Sequence, residues 1–216
     1  MKDHSVIPII ITDEMELLKY GICVAPIPFD EFQRHALATT FSQVTPMNVT
    51  AEGDGAYAFY RSILDEPDFP FDAILASEIG KAMVRHFGIL QFNEIRLDDA
   101  FCVHYNINQD DTSGAKHTDP SDITVNMCFE KDVNTRGSQV LFHGTQKLNG
   151  VDRHEEISAD CFTFLVEQIP GYATIHWGHH PHETMPLQDG RRTNIVLTYC
   201  YSDTSRSDVN MRTCYS

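Results

Sequence analysis

The sequence has 216 residues, of which 42% are hydrophobic and 22% are charged, a composition that excludes the disordered and fibrous classes. Sixteen Lys and Arg residues against thirty-one Asp and Glu residues give a formal net charge of −15. We therefore expect no nucleic-acid partner, and weak, salt-sensitive or undetectable binding to duplex DNA. Neither a signal-peptide pattern nor an apolar run of about 18 residues is found, so we expect a cytoplasmic protein without a membrane partner.

The first part of the chain carries helix signals. A short apolar run at residues 21–24 predicts a strand, after which Asp30 can cap a helix. A second helix is predicted after Pro70, ending at Gly88. The helical spacing rests on two sets of residues: Phe32, Ala36, Leu37, Thr40 and Phe41 in the first helix, and Ile74, Leu75, Ile79, Met83 and Phe87 in the second.

The segment between these helices, residues 44–69, is rich in Gly, Asp and aromatic residues and shows no periodicity, so it is interpreted as a long loop. Tyr57, Tyr60 and Arg61 in this segment either form a lid over a site or pack on the rest of the domain. The sequence leaves both alternatives open.

From residue 95 onward the pattern changes to short runs rich in Val, Ile, Phe, Tyr and Thr. Such runs, separated by polar turns, predict a series of strands and an all-β sandwich, barrel or jelly roll. The strands are expected at residues 101–105, 123–129, 139–142, 161–166, 172–177 and 194–201. We expect a single domain over residues 1–216, with a helix-rich portion at 1–94 and a β core at 95–203.

The six cysteines are scattered and include no closely spaced pair. Several lie in or beside the apolar runs. Without a secretory signal, buried free thiols are a better interpretation than disulfides. The set consists of Cys23, Cys102, Cys128, Cys161, Cys200 and Cys214.

Histidines suggest a metal site. The chain has eleven of them; one lies two residues before a carboxylate, in His117-Thr118-Asp119, and four lie close together, at His176, His179, His180 and His182. Two imidazoles and one carboxylate on one face of a metal leave neighbouring positions open, as non-haem Fe(II) oxygenases require.

The spacing around these residues is similar to that of the prolyl and lysyl hydroxylase branch of the 2-oxoglutarate oxygenases. In that branch a His-x-Asp is followed some strands later by a His and then, about ten residues on, by an Arg or Lys. Arg192 lies ten residues after His182, with Pro186 and Gly190 in the intervening turn. The resemblance covers roughly residues 97–203. It extends to two upstream positions, Tyr105 on the strand before His117 and Asn126 nine residues after it.

The resemblance implies a mainly β fold with flanking α-helices, the double-stranded β-helix (a cupin-like jelly roll). It implies Fe(II) bound by His117, Asp119 and His182, and 2-oxoglutarate bound by Arg192 with Tyr105 and Asn126. O₂ is the other co-substrate, and ascorbate is an optional addition. The implied reaction hydroxylates a C–H bond, of a protein prolyl or lysyl side chain or of a small molecule, and releases succinate and CO₂. Oligomeric state is left open.

Several alternatives stay open at the level of sequence. His179 and His180 compete with His182 as the third ligand, and Arg191 competes with Arg192 for the carboxylate. His176 is interpreted as a core or pocket-wall residue. The resembling proteins often have paired glycines after the first core strands, whereas residues 136–142 keep only Gly137. A zinc hydrolase and a catalytically silent binding module are the rival functions.

Overall fold

The computed structural model describes residues 8–42, 60–148, 162–207 and 209. The helices are α1 Glu14–Lys19, α2 Glu31–Ser42, α3 Phe71–Leu75 and α4 Glu78–His86, followed by a 3₁₀ turn at Phe92–Glu94. The first seven strands are β1 Ile9–Ile11, β2 Ile22–Pro26, β3 Tyr60–Ser62, β4 Ile95–Asn106, β5 Gly114–His117, β6 Ile123–Lys131 and β7 Arg136–Gly137. The remaining strands are β8 Val140–His143, β9 Thr163–Val166, β10 Tyr172–Trp177, β11 His182–Thr184, β12 Leu187–Asp189 and β13 Arg191–Tyr201.

The strands form two main sheets that face each other. A six-stranded sheet has the order β2-β10-β6-β13-β4-β3, and a five-stranded sheet has the order β1-β9-β8-β11-β5. β7 and β12 pair as a small separate ribbon. Most neighbours along the chain are not neighbours in a sheet, as expected when strands cross between two sheets in a jelly roll. The predicted mainly β, double-stranded β-helix fold is confirmed.

Alternation along the central strands gives the six-stranded sheet two different faces. On β6, Val125 and Met127 point into the main hydrophobic core. Thr124 and Asn126 point the other way, into a pocket that faces the five-stranded sheet. On β13, Ile195 and Leu197 lie in the same core. The polar face of this sheet is therefore directed at the space between the two sheets.

Helices cover the apolar face. α2 packs against β4, β6 and β13, while α4 packs against β2 and β10. α2 begins with a reciprocal pair of hydrogen bonds: the backbone N–H of Gln33 donates to the Asp30 carboxylate, and that of Asp30 donates to the Gln33 side chain. The predicted Asp30 cap is thus confirmed. Phe32 is 80% exposed, so this side of the predicted helical face is not buried.

The second predicted helix is divided in two. α3 ends at Leu75 and α4 begins at Glu78, because the Ser77 hydroxyl caps the new helix by accepting from the Ile79 N–H at 3.1 Å. Gly88 follows α4 with a left-handed φ of +66°. The predicted apolar face is nevertheless buried as expected, at Ile74, Ile79, Met83 and Phe87.

Part of the segment predicted to be a loop is a strand, since β3 pairs with β4. Arg61 donates hydrogen bonds to the Thr40 carbonyl and to the Glu66 carboxylate and lies over the Phe41 ring. It therefore packs on α2. Tyr57 falls outside the described residues, and the structure describes only the backbone of Tyr60.

Cys23, Cys102, Cys128 and Cys200 are buried free thiols, as predicted, while Cys161 and Cys214 lie outside the described residues. β1, β2 and β3 all come from the portion expected to be helix-rich, and they extend both main sheets. Over the part of the chain that the structure covers, no helix combines the length and the apolar character needed to span a membrane.

Candidate metal centre and co-substrate pocket

Two of the three predicted metal ligands lie opposite each other on neighbouring strands. His117 ends β5 and His182 begins β11, and the antiparallel register pairs these two positions directly. Asp119 follows in the turn after β5. Nε2 of His117 lies 3.4 Å, and Nε2 of His182 lies 3.8 Å, from Oδ1 of Asp119. Two atoms that each bind one ion at about 2.2 Å are at most about 4.4 Å apart, so both spacings suit a shared ion.

Backbone carbonyls orient both imidazoles. Nδ1–H of His117 donates to the Ala115 carbonyl at 2.7 Å, and Nδ1–H of His182 donates to the His180 carbonyl at 2.9 Å. A carbonyl only accepts, so each Nδ1 carries a proton and each Nε2 faces Asp119. In the neutral ring Nε2 presents a lone pair, and a metal that binds there displaces any proton that Nε2 carries. Two imidazole lone pairs and a carboxylate oxygen thus converge within 4.8 Å of one another. This set of donors fits a divalent cation.

The turn that carries Asp119 is tied to two other elements. The Thr124 hydroxyl on β6 donates to Oδ2 of Asp119 at 2.5 Å. The Asp119 N–H donates to the Gly178 carbonyl, just after β10, at 2.8 Å. These bonds fix the carboxylate so that Oδ1 faces the two histidines.

Burial and neighbouring charges shift the pKa values of this cluster in opposite directions. Burial alone would raise the pKa of Asp119, but the neighbouring His182 and the hydrogen bonds from His117 and Thr124 lower it. Burial lowers the pKa of His182. Burial also opposes protonation of His117, but its hydrogen bonds to Asp119 and Ala115 outweigh burial and raise its pKa. The carboxylate is therefore ionised, as a metal ligand must be.

The competing histidines have other partners. His180 is fully buried, its Nε2 donates to the Gly144 carbonyl at 3.2 Å, and its ring packs on Phe142. Nε2 of His179 lies 3.2 Å from the Gln146 side-chain oxygen. Neither belongs to the converging group around Asp119.

His176 is buried and does not line the pocket between the sheets, so of the two interpretations from the sequence it is a core residue. Its ring centre lies 4.8 Å from that of His182, and its Nδ1 hydrogen-bonds the Trp177 carbonyl at 3.0 Å. Burial lowers the pKa of His176 to about 3. The ring is therefore neutral at physiological pH and packs beside the cluster.

A pocket joins the three converging residues to the three residues predicted to bind the co-substrate. Its walls come from both sheets. The residues that line it are Phe101, Val103, Tyr105, Gly114, His117, Asp119, Thr124, Asn126, His182, Thr184, Arg192, Asn194 and Val196.

Arg192 is almost completely buried in this pocket, with 2% of its surface exposed. One of its terminal N–H groups donates to the Ser138 carbonyl, its guanidinium lies 5.1 Å from the centre of the Tyr105 ring, and its Nε has no partner. No acidic side chain in the described ranges forms an ion pair with it. Burial lowers its pKa, and the charge of Glu167 partly opposes that shift. A guanidinium stays protonated in proteins, so the pocket holds a buried positive charge that forms no ion pair.

Arg191 is directed outward. Its Nε donates to the Asp132 carboxylate at 2.9 Å, and its side chain is 50% exposed. Successive residues of a strand face opposite sides, so the burial of Arg192 and the exposure of Arg191 follow from one register. Of the two arginines, only Arg192 lines the pocket.

Asn194, which lines the pocket together with Arg192, is the centre of a small network of side-chain amides. Nδ2 of Asn194 donates to the Asn126 side chain at 2.6 Å and to the Gln168 side chain at 2.8 Å. Tyr105 donates its hydroxyl to the Ser113 carbonyl at 3.2 Å. Thr124, Gln168 and Asn194 were not predicted as site residues. The only signal available for Asn194 was its place two residues after Arg192, on the same face of the strand.

The comparisons with known proteins concern the fold. No protein-family model and no curated protein matches the sequence. The structure is similar to an oxidoreductase of the 2OG-Fe(II) oxygenase family from Burkholderia pseudomallei, with 14% sequence identity, a TM-score of 0.56 and 87% of each chain covered.

It is also similar to a prolyl-4-hydroxylase from Pseudomonas putida, with 17% identity and a TM-score of 0.54, over 87% of this chain and 96% of the other. A third similar structure is iron-bound HygX from Streptomyces hygroscopicus, with 12% identity and a TM-score of 0.59, over 88% of this chain and 86% of the other. These identities are low, but the similarity extends over most of each chain. The fold of this chain is that of the 2-oxoglutarate–Fe(II) oxygenases.

Proposed function

We propose that this single-domain protein is an Fe(II)- and 2-oxoglutarate-dependent dioxygenase that hydroxylates a C–H bond. The observation that carries the proposal is the combination of two features in one pocket. His117, Asp119 and His182 converge there, and the buried Arg192 forms no ion pair with an acidic side chain among the described residues. A dianionic co-substrate that binds the metal at one end and a guanidinium at the other would satisfy both.

In this proposal His117, Asp119 and His182 are the metal ligands. Fe(II) bound there, with O₂, would supply the oxidative decarboxylation of 2-oxoglutarate to succinate and CO₂ that is coupled to hydroxylation. The protein itself fixes the ligands: carbonyls hold the two rings, and the Thr124 hydroxyl holds the free oxygen of Asp119. Ligands held in this way bind without first being ordered, which favours metal affinity.

Arg192 is the proposed anchor of the far carboxylate of 2-oxoglutarate. A guanidinium can bind that group through two charge-assisted hydrogen bonds, and the buried setting strengthens them. Tyr105 and Asn126 line the same pocket and are the proposed neutral partners of the co-substrate. A zinc hydrolase, the rival use of the same triad, would leave this buried arginine without a function.

Apolar side chains complete the pocket. Val103 and Val196 form a small hydrophobic cluster with Phe101 packed against it, and all three line the site. Such a wall excludes water from the reacting groups and can hold the aliphatic part of a substrate. We propose a protein prolyl or lysyl side chain as that substrate, in line with the resemblance to prolyl and lysyl hydroxylases.

A small-molecule substrate is the second candidate. Besides prolyl hydroxylases, the similar structures include a non-haem α-ketoglutarate-dependent epimerase, SnoN, from nogalamycin biosynthesis, with 15% identity and a TM-score of 0.52. At such identities only the fold is shared, so both substrate classes belong in the first assay.

The test is succinate release by the Fe(II)-loaded protein. We would compare Pro- and Lys-containing peptides with a panel of small metabolites, with and without ascorbate, and identify products by mass. Succinate formation that depends on Fe(II) and 2-oxoglutarate, and that Asp119→Ala abolishes, supports the proposal, and the product with an added oxygen names the substrate class. If the wild-type protein binds neither Mn(II) nor 2-oxoglutarate, the oxygenase proposal is wrong and the silent-module alternative is favoured.

A further inference from the structure

A second cavity lies at the edge of the sandwich away from β3 and β5. It has a volume of about 230 Å³, somewhat below the usual range for ligand pockets, so it suits a small molecule. Its walls come from β1 and β9 of the five-stranded sheet, from β2 and β10 of the six-stranded sheet, and from α1, which connects β1 to β2. None of its residues lines the pocket that contains Arg192 and the three predicted metal ligands. The two pockets are therefore separate.

Most of the wall of this cavity is apolar. Ile11, Leu17 and Val166 are buried and belong to one hydrophobic cluster, against which Val24 packs. Two further residues of the wall, Ile169 and Tyr172, are 49% and 42% exposed and therefore lie at its opening. Apolar surface that remains in contact with water is costly, and an apolar molecule that covers it gains free energy. The cavity thus favours a ligand with an apolar body.

The charges of the wall have one sign. Glu14 and Glu167 line the cavity, and no described Lys, Arg or His does. Glu167 already forms an ion pair with Lys131 and accepts a hydrogen bond from the Gln139 side chain. The Glu14 carboxylate is exposed at the start of α1 and has neither a hydrogen bond nor an ion pair within the part of the chain that the structure describes.

This arrangement discriminates between ligands by their charge. An anion in the cavity would meet two carboxylates, whereas a cation would meet one carboxylate that lacks a partner. Arg85 lines an adjoining cleft together with Glu14, but among the described residues it forms no ion pair with it. Tyr172 places an aromatic ring in the same cavity as Glu14, and aromatic rings also attract ammonium groups.

We propose that this cavity binds a small organic cation, in which an ammonium group is carried by an apolar ring or chain. The apolar body lies against Ile11, Leu17 and Val166, and the ammonium pairs with Glu14 at the opening. Dicarboxylates such as 2-oxoglutarate and succinate have the wrong charge for this cavity, so it is not a second site for the co-substrate or its product. The inference does not rest on the proposed function, because the two pockets share no residue.

Three probes of similar shape test the charge preference. 2-Phenylethylamine, 2-phenylethanol and phenylacetate all carry a phenyl ring on a short chain, which ends in a cationic, a neutral and an anionic group. Calorimetric titration would use the protein saturated with Mn(II) and 2-oxoglutarate, and also the metal-free protein in EDTA, where the amine cannot bind a metal. We expect a dissociation constant on the order of 1 mM for the amine. The alcohol should bind roughly three- to fivefold more weakly, as the loss of an exposed ion pair implies, and phenylacetate should not bind detectably.

Two pairs of variants locate the site. Glu14→Gln should lower the affinity for the amine roughly three- to fivefold and leave that for the alcohol unchanged. Glu16→Gln removes the same charge from the same helix at a residue that does not line the cavity, and should bind the amine like the wild type. Val24→Phe places a ring in the cavity and should prevent binding of both the amine and the alcohol. Val84→Phe, on the exposed side of α4, is its control and should bind both.

Four results would overturn the inference. The first is no binding of the amine by the wild-type protein at 10 mM. The second is equal affinity for the amine and the alcohol, which would remove the charge preference. An equal effect of Glu14→Gln and Glu16→Gln would indicate general attraction to an acidic protein, and unchanged binding in a folded Val24→Phe would place the amine elsewhere. If thermal unfolding shows that Val24→Phe does not fold, the two glutamate variants decide. Because the titration in EDTA needs neither metal nor co-substrate, its outcome leaves the proposed function untouched.

Discussion

The Nδ1 atoms of His117 and His182 determine which ring nitrogen faces Asp119. Their acceptors are the backbone carbonyls of Ala115 and His180, so the orientation does not depend on a second set of side chains. Each carbonyl lies two residues before the histidine that it orients. The same short-range arrangement thus recurs on β5 and at the start of β11, and the cluster is organised before any ion binds.

Loss of a ligand should abolish metal binding. We expect Asp119→Ala and His182→Ala to bind no Mn(II) or Fe(II) in anaerobic metal analysis, against one ion per wild-type chain, because the anionic ligand or one of two imidazoles is lost. Both variants should still fold, as judged by circular dichroism.

His180→Ala is the matched comparison. Its imidazole is buried against Phe142, so its removal leaves a cavity and should lower the stability by roughly 2–4 kcal/mol, as large-to-small core substitutions do. It should retain one metal ion per chain. The opposite pattern, with metal lost in His180→Ala and kept in His182→Ala, would show that the wrong histidine was chosen.

Arg192 should control affinity for 2-oxoglutarate and not for the metal. Arg192→Ala removes a charge-assisted pair from a desolvated pocket, a loss of about 2–5 kcal/mol, which corresponds to roughly 30-fold to several-thousand-fold weaker binding. Arg192→Lys should recover only part of the loss, because an ammonium cannot reproduce the planar fork. Calorimetric titration of the Mn(II)-loaded variants measures both.

Arg191→Ala supplies the control, since Arg191 pairs with Asp132 at the surface and a surface ion pair contributes at most about 1 kcal/mol. Its 2-oxoglutarate affinity should stay within a factor of two of the wild type. If Arg191→Ala destroys binding and Arg192→Ala does not, the anchor is the other arginine.

For individual residues, the sequence predicted those site positions that depend on spacing along the chain. His117 and Asp119 are two residues apart, and Arg192 follows His182 by ten. Ser138 and Gln168 could not be found in this way. Their relation to Arg192 and Asn194 arises from strand pairing and from the turn at Gly137, and neither leaves a local pattern in the sequence.

At the scale of elements, the end of β10 supports the turn that carries Asp119. The Gly178 carbonyl accepts from the Asp119 N–H, and the Gly178 N–H donates to the Asp122 carbonyl at 2.9 Å. A Cβ at Gly178 would lie 2.1 Å from the Ser121 carbonyl oxygen. The two segments can approach this closely only because residue 178 has no side chain.

Gly178→Ala should therefore disturb the metal site from a distance. The clash with backbone forces the segments apart, and we expect a stability loss of about 1–3 kcal/mol together with at least tenfold weaker Mn(II) binding. Gly88→Ala is the control: a Cβ there meets nothing within 4 Å, so only backbone strain at its positive φ should lower stability. Urea denaturation and Mn(II) titration check both variants. Unchanged metal affinity in Gly178→Ala would separate this turn from the site.

The elements that the sequence predicted are those with strong local patterns. β6, β10 and β13 are long runs of β-branched and aromatic residues, and all three were expected. β5 and β11, which carry the two histidines, are short and polar, so they lack the alternation of apolar and polar residues that predicts a strand. The division between α3 and α4 was also missed, because Ser77 lies inside an otherwise continuous apolar periodicity and its capping role depends on its backbone conformation.

In the molecule as a whole, the pocket lies between the two sheets and draws on both. His117 and His182 belong to the five-stranded sheet, whereas Asp119 is held by Thr124 of the six-stranded sheet. At the other end, Arg192 of the six-stranded sheet donates to Ser138, just before β8 of the five-stranded sheet. A metal ion and a co-substrate bound along the pocket would therefore connect the two sheets at two places.

Metal and co-substrate together should stabilise the whole fold, because the unfolded chain has no preformed site. Ligands that bind only the folded state stabilise it by about 2.7 kcal/mol at a hundred times the dissociation constant. For a chain of this size that raises Tm by roughly 5–10 °C. We expect this shift with saturating Mn(II) plus 2-oxoglutarate and its complete reversal by EDTA.

Asp119→Ala should show no shift with Mn(II). Arg192→Ala should keep the part due to Mn(II) alone and lose the increment added by 2-oxoglutarate, because it touches only the far end of the pocket. If both variants keep the full increases in Tm, the ligands bind outside this pocket, and a connection between the two sheets does not explain the stabilisation.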